Sequence, residues 1–540
     1  MTKPSKINLL KRVNWGLIFL TLALMLFQRV VVIQNCEYLR AADTYVNLII
    51  ADDIAQTSKI PPTRPLTLPR FGDTTNKLVA VEMAAINLIA GLDSFNIIKW
   101  FLPLSISLII FAVIFLLIKK MTGNTQWTGT ILFLSSVLLF LNAAPYHASK
   151  PISYATPQGF ALVFFTILVF LAFRYFQKET IINEEAVLIL WFFLSWVAFH
   201  ASHWFFIPIL IASIFCKRPR QLRNLKTIIA IATIIGLFLF WKRNELTFII
   251  SFFLSKTQKT TLTFEYIKDT VSPFLLIFAI IGITTFWKEK HNSGEKKFFW
   301  FLLMNFFVLF LFIIIFPKFG LANSVYTYRF LGYLVIVLLI LSFYFFKYLL
   351  KDGSLIAKIS IIFLVPIVLL PSLPRHFEKG WILGKEKQVI EFIKNNTPPN
   401  SIFFTQEMNG PIIVLAKRTV FKQGSVMEEQ QNPLTHNNKH IFYSNSGKNS
   451  WQSIQDCLSP TNTLYQWGSY KKPTADDQQR PKYVLYSKLK TRINQNFGDW
   501  WVKGNYPNAH LYIFNDTNYF EKVFENEDII LWKVRQDISL

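Results

Sequence analysis

The stretch richest in potential chemistry lies shortly after the first apolar run. It reads Ala42-Asp43-Thr44-Tyr45-Val46-Asn47-Leu48, then Ala51-Asp52-Asp53-Ile54. A carboxylate just outside a membrane span sits where lipid headgroups meet water. There it can take a proton from an attacking hydroxyl, or ligate a divalent cation, toward a lipid-linked substrate. Asp43 and Asn47 are four residues apart and share one face of a helix, a face that cannot also hold both Asp52 and Asp53. Asp43 also fits the N-cap of a helix over 44–57, where Asp is favoured. Position alone leaves both roles open.

Further polar groups fall at the same level along the chain. His147 and Lys150 occupy the segment 145–158, and His200 and His203 flank a turn between two apolar runs. Arg329 follows Tyr326-Thr327-Tyr328. An arginine there suits a phosphate, which it grips by paired hydrogen bonds. It equally suits an interface anchor beside belt tyrosines. Arg29, near the end of the first apolar run, reads as a snorkelling side chain. The cysteines are Cys36, Cys216 and Cys457, with no C-x-x-C pair, which argues against a zinc or redox site.

The elements that must position these residues follow from composition. The chain has 540 residues, of which 52% are hydrophobic and only 16% charged. A soluble chain carries about 25% charged residues. The pattern excludes disordered, coiled-coil and disulfide-scaffold classes and points to a polytopic membrane protein. The formal charge of +24 fits basic loops that hold topology, and no basic recognition motif for nucleic acid appears. Apolar runs predict about eleven spans: 15–33, 97–118, 127–144, 159–176, 186–199, 201–216, 227–241, 273–287, 298–317, 329–347 and 358–373. The pair 186–199 and 201–216 reads either as two short helices or as one bent hairpin. Lysine and arginine cluster at 119–120, 174–178, 217–226, 288–297 and 347–358. This bias places the N-terminus inside and the C-terminal segment outside.

The residues 34–96 then form a long first outer loop, broken by Pro61-Pro62-Thr63-Arg64-Pro65. Its part 78–92 is apolar enough to lie on the membrane surface. A transmembrane domain over 1–373 precedes an extracytoplasmic α/β domain over 374–540. In the latter, helices are predicted at Lys385–Asn395 and 410–417. Strands are predicted at Ser401–Thr405, Arg418–Phe421, Tyr483–Tyr486, Ala509–Phe514 and Ile529–Val534.

With that frame, the segment Asp43-Thr44-Tyr45-Val46-Asn47, followed by a helix ending near Ile60-Pro61, resembles the GT-C superfamily of integral-membrane glycosyltransferases. It is similar to the first acidic motif of the oligosaccharyltransferase catalytic subunits, and to the acidic opening of the protein mannosyltransferase and aminoarabinose transferase branches. The stretches Val389–Pro398, Ala416–Val420 and Val523–Val534 look like the exported domains of GT-C-like proteins. The resemblance implies a polyprenyl-phosphate-linked sugar donor, a lipid, glycan or protein acceptor, and chemistry on the outer face of a cell membrane. It implies Asp43 as base or metal ligand, with Mg2+ or Mn2+ as the metal where one is used. Two departures stand out. The loop Pro145–Tyr154 carries no carboxylate, where oligosaccharyltransferases place a second acidic motif. Trp500-Trp501-Val502-Lys503-Gly504 lacks the acid of their sequon-reading motif, which favours a hydroxyl acceptor over protein Asn. Other readings of the chain are a glycan polymerase or ligase and a catalytically silent scaffold on the same fold. A transporter ranks below these, since no inverted symmetry is found.

Overall fold

The computed structural model describes residues 6–34, 42–61, 67–68, 78–123, 128–140, 157–177, 273–311, 313, 331–352, 384–405, 409–421, 482–487 and 511–535. The helices are α1 (Lys6–Gln34), α2 (Ala42–Thr57), α3 (Leu78–Ala90), α4 (Ser94–Met121), α5 (Thr128–Phe140), α6 (Pro157–Gln177), α7 (Pro273–Phe286), α8 (Ser293–Phe310), α9 (Leu331–Asp352), α10 (Gly384–Asn396) and α11 (Asn409–Ala416). The predicted spans at 186–199, 201–216, 227–241 and 358–373 lie outside the described residues. The chain divides into two compact units. One comprises Met1–Asn35 and Lys99–Glu378, the other Cys36–Ile98 and Lys379–Leu540.

The first unit is helical. Each of α1 and α4 to α9 coincides with an apolar run read from the sequence. Among the described residues, Ser94–Met121 and Leu331–Lys351 are long and apolar enough to cross a membrane. Helix α9 is apolar all round, and its residues from Leu331 to Tyr344 are buried. Such a helix belongs at the centre of a bundle, and α9 packs against α5, α6, α7 and α8. Glycines set the closest approaches. A Cβ at Gly282 of α7 would lie 2.1 Å from the Leu341 carbonyl oxygen of α9. A Cβ at Gly129 of α5 would lie 2.1 Å from the Asn14 carbonyl oxygen of α1. Small residues permit such contacts between membrane helices. Arg29, expected to snorkel, is instead only 2% exposed. Its position on α1 falls on the packed face with Met25 and Ile33, four residues to either side, so its side chain is drawn into the bundle.

The second unit is built on one six-stranded sheet. The strands are β1 (Thr67–Leu68), β2 (Ile402–Thr405), β3 (Thr419–Phe421), β4 (Tyr483–Ser487), β5 (Phe520–Glu525) and β6 (Ile529–Val534). Their order is β1-β3-β2-β4-β6-β5. The pairs β1–β3, β3–β2 and β2–β4 are parallel, and β4–β6 and β6–β5 are antiparallel. Strands β2 and β4 are buried along their whole length, as central strands covered on both faces are. The strand expected at Ala509–Phe514 is corrected: Leu511–Asn515 forms a 3-10 turn. Phe514 stacks on Trp532 of β6, ring centroids 4.6 Å apart, so this run covers the sheet instead of extending it. The antiparallel partner of β6 on that side is β5, which carries the charged and less apolar sequence Phe-Glu-Lys-Val-Phe-Glu.

Candidate active site

Helix α2 carries the acidic stretch and belongs to the second unit. Its apolar residues recur at helical spacing, and Tyr45, Leu48, Ile50, Ala51 and Ile54 are all buried. They pack α2 against α3 and α11. Among the described side chains of α2, Ile49, Asp52, Asp53 and Ala55 are half-exposed and Gln56 and Thr57 exposed, so a stripe through Ile49, Asp52, Asp53 and Gln56 faces water. Asn47 lies on the buried side at 5% exposure. Asp43 stands in the first turn of α2, one turn before Asn47.

The helix stops through its own backbone. Ser58 takes a φ of +54°, the left-handed conformation that turns a chain out of a helix. Its N–H still donates to the Ile54 carbonyl at 2.8 Å, and the Thr57 hydroxyl donates to the Asp53 carbonyl at 2.8 Å.

The two aspartates of the exposed stripe differ in what they meet. Asp52 Oδ2 accepts from Lys417 Nζ at 3.0 Å. Lys417 holds a φ of +53° just past the end of α11, and Arg418 N–H reaches back to the Ile412 carbonyl at 3.4 Å. The neighbouring basic residue turns inward. Arg418 donates from Nε to the Thr397 hydroxyl at 3.1 Å, and from its terminal nitrogens to the carbonyls of Thr397 at 2.6 Å, Lys394 at 3.0 Å and Ala416 at 2.9 Å. That fan of bonds satisfies carbonyls left open at the ends of α10 and α11. Lys417 thus serves the acidic stripe while Arg418 serves the fold. The side chain of Asp53 has no ion pair among the described residues.

A further acid, not singled out by the sequence, lies on the helix next to α2. Glu82 of α3 is half-buried, and burial pushes its carboxyl above the usual range. No short motif surrounds it, so only its burial marks it.

His147, Lys150, His200, His203 and Arg329 lie outside the described residues, as do all three cysteines. Among the described residues, no three His, Cys, Asp or Glu side chains converge to hold a metal ion. Asp52 is already engaged by an ammonium group.

No family model matches the chain, and no curated protein matches it. Solved structures do. ArnT from Cupriavidus metallidurans bound to undecaprenyl phosphate aligns with a TM-score of 0.54 at 9% identity, over 97% of this chain and 98% of that one. The archaeal oligosaccharyltransferase AglB from Archaeoglobus fulgidus, in complex with an inhibitory peptide and a dolichol-phosphate, aligns with a TM-score of 0.55 at 11% identity. It covers 89% of this chain and 71% of that one. The fold is the GT-C fold. Those neighbours are polytopic helical membrane proteins, and among the described residues of this chain two helices are long and apolar enough to cross a membrane. The Archaeoglobus fulgidus oligosaccharyltransferase has also been solved in complex with Zn and sulfate, at a TM-score of 0.51 and 10% identity over 88% of this chain and 69% of that one.

Proposed function

We propose that this protein is a membrane glycosyltransferase that moves a sugar from a polyprenyl-phosphate-linked donor to an acceptor hydroxyl on the outer face. The observation that carries the reading is the alignment, over nearly the full length of both chains, with an enzyme bound to undecaprenyl phosphate. The dolichol-phosphate in the AglB complex supports the same donor class.

In this reading Asp43 accepts the proton of the attacking hydroxyl. The acceptor oxygen forms a bond to the anomeric carbon, and the bond from that carbon to the donor phosphate oxygen breaks. The electron pair leaves with the polyprenyl phosphate. Arg329, with Lys150, His147 or His203, balances the charge that gathers on the departing phosphate. Asn47, one helical turn from Asp43, is the substrate-binding group on that helix. Asp52, held by Lys417, contributes to the docking of α2 rather than to proton transfer. Asp53 remains the alternative acceptor on the open stripe. In this reading the sugar-handling face and residues 374–540 lie outside the membrane and the N-terminus inside, as the lysine and arginine bias suggests.

The test is a donor panel. The full chain is reconstituted in liposomes and offered radiolabelled sugars on polyprenyl phosphates and pyrophosphates. Transfer from at least one monophosphate-linked sugar is expected. Use of pyrophosphate-linked oligosaccharides alone would support the polymerase or ligase reading, and silence across the panel would support the scaffold.

A further inference from the structure

The corner between α7 and α8 carries an arrangement that the transfer reaction does not use. Its link, residues 287–292, and the first turn of α8 hold Lys288, Lys290, Lys296 and Lys297 against Glu289 and Glu295. Both carboxylates are largely buried in the corner, at 12% and 18% side-chain exposure. Glu295 Oε2 lies 2.9 Å from His291 Nδ1, and its other oxygen lies 3.8 Å from Lys347 Nζ of α9. Glu289 Oε2 lies 3.8 Å from His291 Nε2. The His291 side chain is 2% exposed and its ring lies flat on Phe286 at 3.9 Å. Lys288, Lys290 and Lys296 are exposed, and none has a carboxylate partner among the described residues. The outward surface of this corner is therefore cationic, although its sequence is mixed in charge.

Two tryptophans stand beside these lysines. Trp287 is 59% and Trp300 50% exposed, with ring centroids 5.8 Å apart. Each ends an outward stripe. On α7 the stripe runs Ile277, Ile280, Thr284, Trp287. On α8 it runs Lys296, Trp300, Met304, Phe307. These spacings of three and four residues keep each stripe on one side of its helix. The α7 stripe extends about 15 Å from Ile277 to Trp287, and the α8 stripe about 10 Å from Trp300 to Phe307, at 1.5 Å per residue. Both run apolar from one end, reach tryptophan at the other, and meet lysine there. Tryptophan prefers the headgroup level of a bilayer, and lysines just beyond it meet phosphate.

We propose that this corner is a seat for an anionic phospholipid headgroup, in which Lys288, Lys290 and Lys296 hold the lipid phosphate and the Trp287–Trp300 pair flanks the glycerol region. The occupant is a bilayer lipid because exposed apolar side chains, Ile277 and Ile280 on α7 and Met304 and Phe307 on α8, lead up to the lysines. With Glu289 and Glu295 turned inward beside His291, the lysines are left without competing carboxylates. The proposal rests on the membrane reading of the first unit and not on the transfer chemistry.

The test is native mass spectrometry of the full-length protein from micelles containing equal amounts of phosphatidylglycerol and phosphatidylcholine. The wild type is expected to retain at least about fivefold more phosphatidylglycerol, the factor that about 1 kcal/mol from a single lysine near a lipid surface gives. The triple variant Lys288→Glu, Lys290→Glu, Lys296→Glu is expected to retain the two lipids equally. A control with the same charge change in the second unit, Lys59→Glu, Lys394→Glu, Lys533→Glu, is expected to keep the wild-type ratio. Equal retention by the wild type overturns the proposal, as does an equal loss of preference in the control, which would show net charge alone at work. Displacement of the retained lipid by millimolar glycerol phosphate also overturns it, since that outcome describes a soluble phosphate site. Because the control and the triple variant are compared with the wild type for thermal stability, misfolding is read separately from lost binding.

Discussion

Asp52 and Glu82 show how two acids on adjoining helices come to different roles. Asp52 sits at 28% side-chain exposure opposite a lysine at 61%, so water screens their attraction. Lys417→Ala is predicted to cost less than about 1 kcal/mol of stability, read by thermal unfolding. A loss of several kcal/mol would mean that the pair anchors α2 far more strongly than its exposure permits. Glu82 has no ion pair among the described residues, and burial raises its carboxyl above the model-compound value of 4.5. The folded state therefore binds the proton more tightly than the unfolded state does. Its contribution to stability is fully present below the ordinary carboxylate range and is lost as pH rises through the folded value. Glu82→Gln is predicted to raise the melting temperature by about 1–2 °C at pH 7, a small shift because the group is partly screened, and to leave it unchanged at pH 4. An equal effect at both pH values would remove ionisation as the cause.

At the scale of elements, close packing makes the sharper prediction. The approach of α7 to α9 leaves no room for a Cβ at Gly282. Gly282→Ala is predicted to destabilise the first unit by about 1–3 kcal/mol, as overpacking does. Thr284→Ala, an exposed site on the same helix, is predicted to stay within about 0.5 kcal/mol, both measured by thermal unfolding in detergent. Most of these helices were legible in the sequence because apolar runs of bundle length have one common meaning. Helix α2 was legible from Tyr45, Leu48, Ile49 and Ile54, of which Ile49 is only half-buried, and begins at Ala42, two residues before the predicted start. Strand β1 was not legible: two residues at Thr67–Leu68 carry no period, and only their pairing with β3 defines them. The run at 511–515 was misread because aromatic residues suit both a strand and a lid over one, and Trp532 decides for the lid. The Asp52–Lys417 contact joins residues 365 positions apart, beyond the reach of any local pattern.

For the whole molecule, the main consequence concerns the first loop. Strand β1 extends the sheet through β3, and α2 packs on α11, so residues 36–98 fold with 379–540. A chain ending at residue 373 lacks both partners. Backbone amides of α2 are predicted to exchange slowly with deuterium in the full chain and at least tenfold faster in the shortened one, as expected of a helix stripped of its buried face. Unchanged protection would show that the loop folds alone. The candidate site would then be independent of the sheet. In the proposed function Asp43 takes the proton of an acceptor hydroxyl. The most direct measurement compares the rate of sugar transfer from a polyprenyl-phosphate donor by the wild type, Asp43→Asn and Asp52→Asn in the same membranes at matched expression. The account predicts a loss of at least about 100-fold for Asp43→Asn, the scale of general-base catalysis, and less than about tenfold for Asp52→Asn. Full activity in Asp43→Asn would contradict it.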